Sequence, residues 1–150
     1  MVNQVKNLPW IAIRDVGFLA RKHLATKQRP RRPHLAVPLS ADELQDRLMN
    51  YHFREGWFMS YHCHGEKYNL CRAEGENPDG DNMQLHIRIF EYGENSSLVF
   101  AHKELCPIEH PRRHLNGELQ SVDEGLSMVE ELLLSENVKS SKIERIEPGG

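Results

Sequence analysis

The sequence predicts an α+β domain. An antiparallel sheet of about four strands, in two hairpins, should pack against two helices, with an extra basic helix at the amino end. Three observations carry this. Residues 85–89 alternate, with Leu85, Ile87 and Ile89 against His86 and Arg88, which is the period of a half-buried strand. Gly65-Glu66 and Tyr92–Ser96 each break a pair of strand-like runs. Ser40-Ala-Asp-Glu43 and Ser121-Val-Asp-Glu124 are capping boxes, each followed by apolar residues at helical spacing.

A chain of 150 residues is one domain by length and buries enough surface to fold without a staple. Three cysteines are too few and too odd a set for a disulfide framework, which favours a reducing, cytoplasmic setting. No apolar run is long enough to span a membrane and no signal peptide is visible. The net charge of −3 conceals a split. Residues 1–34 carry eight Lys/Arg and one acid, 8 − 1 = +7, which leaves 11 − 21 = −10 for the remainder. A basic arm on an acidic body follows. The expected organisation is therefore 1–39 basic helix and Pro/Arg-rich linker, 40–134 α+β domain, and 135–150 polar tail.

In chain order, residues 7–25 read as a helix: Pro9 suits its first turn, and Trp10, Ile13, Gly17, Ala20 and Leu24 share a face. Gln28–His34 breaks it with two prolines, and Arg29, Arg31 and Arg32 there are candidate phosphate contacts. Ser40 opens the next helix, with Leu44, Leu48 and Tyr51 on one face and Gly56 as its expected end. A hairpin of Trp57–His64 and Lys67–Arg72 should turn at Gly65-Glu66. Glu74–Asn82 is a solvated turn whose acids lack EF-hand spacing. The second hairpin is Gln84–Glu91 with Ser97–Leu105, and its turn leaves open whether His86 meets His102. Ser121 caps the last helix, with Leu126, Val129 and Leu133 as its stripe. The expected core is Leu44, Leu48, Trp57, Met59, Tyr61, Leu70, Leu85, Ile87, Ile89, Phe100, Leu126, Val129 and Leu133.

The chemistry concentrates in residues 84–114. His102, Cys106, His110 and His114 recur every four residues, but Pro107 and Pro111 break the helix that would align them for zinc, so no metal and no cofactor are expected. A nucleophilic Cys106 beside His102 and His110 lacks any surrounding signature. The better reading is a metal-independent RNase. Its imidazoles would move protons near neutral pH and its guanidinium groups would hold phosphate oxygens. The candidate catalytic residues are His86, Arg88, His102, Glu104, His110 and His114, with Arg112 and Arg113 as nucleic-acid contacts. A different class also fits: a non-enzymatic module that presents its basic arm and sheet edge to a protein or nucleic acid.

Tyr68–Arg72, Leu85–Phe90, His110-Pro-Arg-Arg-His114 and Ser121–Leu134 together resemble small TumE-type toxins of bacterial toxin–antitoxin pairs. The resemblance covers roughly the last half of the chain. It implies growth inhibition through RNA, with RNA and an antitoxin-like protein as partners.

Overall fold

The computed structural model describes residues 27–31, 33–56 and 60–144. The expected arm helix, Arg32, Trp57 and Met59 lie outside them. The chain divides into two compact units, residues 1–29 with 57–64, and residues 30–56 with 65–150. In the first, Lys27 and Cys63 form a parallel bridge: the Lys27 N–H donates to the His62 carbonyl (2.8 Å) and the His64 N–H to the Lys27 carbonyl (2.7 Å). Cys63 is buried, and Lys27 Nζ lies 4.0 Å from the centre of the exposed Tyr61 ring.

The second unit is α+β: β1 (His34–Val37), α1 (Ala41–Met49), β2 (Arg54–Glu55), β3 (Glu66–Glu76), β4 (Asn82–Glu91), β5 (Ser97–Leu105), α2 (Pro111–Leu115), α3 (Val122–Ser135) and β6 (Ser141–Ile143). The strands form one antiparallel sheet in the order β2-β3-β4-β5-β1-β6. Among the described residues, six strands thus stand where about four were expected, and three helices where two were, apart from the arm helix. Two of the additional strands come from stretches read as linker and tail. β1 lies between Pro33 and Pro38, which bias their neighbours to extended backbone. β6 follows Val138, whose buried side chain ties the tail to the core.

The first expected hairpin is not formed as drawn. β3 pairs instead with the two-residue β2 and with β4, and Cys63 bridges Lys27. Tyr61, expected in the core, is 42% exposed. The Ser40 helix ends at Met49 rather than near Gly56, and His52 turns the chain in the left-handed region at φ 64°. Both serines cap as expected: Ser40 Oγ accepts from the Glu43 N–H and Ser121 Oγ from the Glu124 N–H. The glutamates of the two boxes, however, reach other partners. Glu43 binds Arg47 and Glu124 binds Lys103.

Register decides the faces. Residues directly opposite in an antiparallel pair share a side, and the side alternates along each strand. Ile87↔Ala101, Ile89↔Val99 and Leu70↔Ile87 therefore line one face with Leu35 and Leu85. Leu44 and Leu48 of α1 and Leu126, Val129 and Leu133 of α3 cluster with these residues. Phe100 is buried on the opposite face, across from Arg88, so it is not part of that helix-packed core.

Candidate functional site

The second face of β3, β4 and β5 holds the polar residues. Strand alternation puts Gln84, His86 and Arg88 of β4 on it, opposite Glu104, His102 and Phe100 of β5. β3 adds Asn69 opposite Arg88 and Cys71 opposite His86. Burying so many polar groups is costly unless each finds a partner. Most do. Gln84 Nε2 donates to Glu104 Oε1 (2.8 Å), His102 Nε2 lies 2.8 Å from Glu104 Oε2, and His86 Nδ1 lies 3.3 Å from His102 Nε2. His86 Nε2 lies 2.7 Å from Asn69 Oδ1, while Asn69 Nδ2 faces Glu66. Arg88 is ion-paired with Glu66, and both are buried. The line from Gln84 through Glu104, His102 and His86 to Asn69 is thus continuous.

Burial, the largest influence, pushes the His86 imidazole down to about 4, and the charges of Arg88 and His102 act the same way against its bond to Glu104. Burial would raise the Glu104 carboxyl. The hydrogen bonds and charges of His102 and His86 outweigh it and hold the group below the usual carboxylate range. Near neutral pH the site therefore pairs an ionised Glu104 with a neutral His86. Burial also pushes the Cys71 thiol up, which keeps it protonated and a poor nucleophile.

The remaining sequence-predicted residues sit around α2. Among the four residues of the expected zinc-like repeat, His102 is on β5, Cys106 follows it, and only His110 and His114 belong to the α2 region, so no single helix aligns them. His110 is the residue before α2 and makes no side-chain cap; its Nε2 is 3.5 Å from Asp81 Oδ1. Arg113 holds both Asp81 oxygens at 2.9 and 3.2 Å and also Glu118 at 2.9 Å. Those bonds from Arg113, the largest influence, hold Asp81 below the usual carboxylate range. Arg112 and Arg31 are exposed, Arg29 is half-buried, and Arg32 lies outside the described residues.

His114 connects the two groups. Its Nδ1 is 2.9 Å from the Leu105 carbonyl and 3.5 Å from Glu104 Oε2. A carbonyl only accepts, so Nδ1 carries the proton, and in the neutral ring Nε2 carries the lone pair. The His114 side chain is 22% exposed, against 7% for His102 and Glu104.

Compared with known proteins, the chain matches no family model, no curated protein and no solved structure.

Sequence reasoning missed Gln84, Asn69 and Glu66 as members of this site. Gln84 was legible in principle, since it lies two residues before His86 on the same strand. Asn69 and Glu66 depend on the β3–β4 register, which contains shifts at Glu66/Tyr68 and Ala73/Gly75 that no local pattern announces. Among the described residues, no helix is long and apolar enough to cross a membrane.

Proposed function

We propose that this protein acts on RNA in the manner of the toxin half of a toxin–antitoxin pair, with His114 as the base that activates a ribose 2′-OH. One observation carries the reading: the Leu105 carbonyl holds the Nδ1–H of a partly exposed imidazole, which turns the lone pair of Nε2 to general-base work. Glu104 Oε2, 3.5 Å from the same Nδ1, helps to hold the ring in place. Arg112, exposed on the same short helix, is the phosphate contact, and His110, close to Asp81, is the acid for the leaving oxygen. In this scheme His86, His102 and Glu104 position His114 from within the sheet. The TumE-type resemblance of residues 68–134 supports the choice of RNA as substrate and of an antitoxin-like protein as partner.

The same hydrogen bond favours a second reading. A His114 that ties α2 to the end of β5, with Arg88 closed off by Glu66, suits a binding module that holds RNA or protein without turnover. An RNA cleavage assay beside thermal unfolding separates the two. The catalytic reading expects His114→Ala to lower cleavage by roughly a hundredfold or more while the fold stays intact. Intact RNA with wild-type protein, together with earlier melting of His114→Ala, overturns it in favour of the module.

A further inference from the structure

We propose that His86, His102 and Glu104 form a binding site for one divalent transition-metal ion, with zinc as the best match. The inference does not rest on the RNA reading. These residues are buried, so the ion would be structural and would sit behind Glu104, out of reach of a phosphodiester.

Geometry comes first. One donor atom from each residue falls within a common 4.8 Å. His86 Nδ1 is 3.3 Å from His102 Nε2 and 3.3 Å from Glu104 Oε1, and His102 Nε2 is 2.8 Å from Glu104 Oε2. A tetrahedral zinc ion with bonds of about 2.0–2.2 Å holds its ligand atoms roughly 3.3 Å apart. The separation of the two imidazole nitrogens already has that value, each imidazole meets a different oxygen of the Glu104 carboxylate, and two imidazoles with one carboxylate are a donor set that zinc accepts.

Proton accounting points the same way. Asn69 turns its Nδ2 to Glu66 and its Oδ1 to His86 Nε2, so that nitrogen must donate. The neutral His86 ring then has a bare lone pair on Nδ1, aimed at His102 and Glu104. His102 Nε2 faces both that lone pair and Glu104 Oε2, which His114 Nδ1 also approaches at 3.5 Å. A metal ion serves all three donors at once. It also places a positive charge beside the buried Glu104 carboxylate.

The surroundings resemble the outer shell of a metal site. A ligating histidine generally donates its other N–H to an oxygen, as His86 does to Asn69, and ligating carboxylates accept a further hydrogen bond, as Glu104 does from Gln84. The gap is His102 Nδ1, which is buried without a hydrogen-bond partner among the described residues. The three ligands stand on two directly paired strands, His86 opposite His102 with Glu104 two residues on, so little rearrangement is required. A water molecule would complete the coordination.

The test uses the full chain, purified without a His tag, stripped with a chelator and titrated with Zn²⁺. About one equivalent should bind and raise the melting temperature. Glu104→Gln, which keeps the shape of the side chain, should abolish tight binding. Gln84→Ala should weaken binding by roughly 10–100-fold. A Cys106→Ser/His110→Ala double variant should bind as wild type does. Should Glu104→Gln fail to fold, ¹⁵N shifts of the wild-type imidazoles decide the matter. One equivalent of Zn²⁺ should move His86 Nδ1 and His102 Nε2 and leave His110 unchanged. Absence of Zn²⁺ binding by the wild type, binding that survives in folded Glu104→Gln, or shifts confined to His110 and His114 would each overturn the proposal.

Discussion

Gly125→Ala offers a sharp test of the packing between helix and sheet. In an ordinary helix interior this change stabilises, by about 1 kcal/mol, because alanine is the better helix former. Here the geometry opposes it. A Cβ on Gly125 would lie 2.4 Å from Cα, 2.6 Å from N and 2.7 Å from C of His102. Carbon atoms rest at about 3.5 Å or more, so α3 would have to retreat by roughly 1 Å. The obstacle resists moving, because His102 is paired with His86 of β4 on one side and the next residue, Lys103, bridges Ser121 on the other. Retreat would loosen Leu126, Val129 and Leu133 together. Overpacking of this kind costs about 1–3 kcal/mol, and a backbone obstacle puts the cost at the upper end. After the helix-propensity gain, a net loss of about 2 kcal/mol remains, which corresponds to a fall in melting temperature of roughly 4–8 °C. Ser127→Ala, exposed on the same helix, is the control and should change stability by about 0.5 kcal/mol or less. The assay is thermal unfolding of the three proteins side by side. If Gly125→Ala melts at or above the wild type, α3 does not rest on the His102 backbone and the reasoning fails.

Two further outcomes are expected. Ile87→Ala, a fully buried position on the helix-packed face, should cost about 2–5 kcal/mol, seen as a lower urea midpoint with an unchanged slope. Arg113→Ala should reduce stability in a pH-dependent way. Because Asp81 is held below its ordinary range in the folded chain, its contribution is present above the unfolded carboxylate value and is lost as pH falls through the folded one. The difference in melting temperature between Arg113→Ala and wild type should thus be widest above the ordinary carboxylate range and close as pH falls below it; a gap that stays constant would refute the assignment.

The parts of this fold legible in the sequence are those with a repeated local signal. Leu85, Ile87 and Ile89 announce their strand by alternation, and Leu126, Val129 and Leu133 their helix by spacing. The two serine caps follow from the chemistry of free N–H groups at a helix start. What stayed hidden is the information carried by pairing. β2 has two residues, and β6 has three, too short for a period to emerge. Tyr61 alternates convincingly with its neighbours yet is exposed, and the strand that pairs β3 on that side is the two-residue β2. For the site, the sequence supplied the residue types in 84–114 but not the register. Only the direct pairing of His86 with His102 separates the buried group of His86, His102 and Glu104 from the more exposed His110 and Arg112.

The place of β1 in the sheet has a consequence for the order in which the chain can fold. It lies between β5 and β6, which both follow it in sequence by long stretches. The β4–β5 hairpin closes a short loop and can form early, whereas β1 must wait for a distant strand before any of its ladder bonds exist. Even then one edge remains open until Ser141–Ile143 arrive to meet His34, Leu35 and Ala36. A chain cut before residue 141 would therefore expose a row of unpaired N–H and C=O groups on Leu35 and its neighbours. Such a row recruits strands from other molecules. Three residues, Ser141–Ile143, thus guard β1 against self-association.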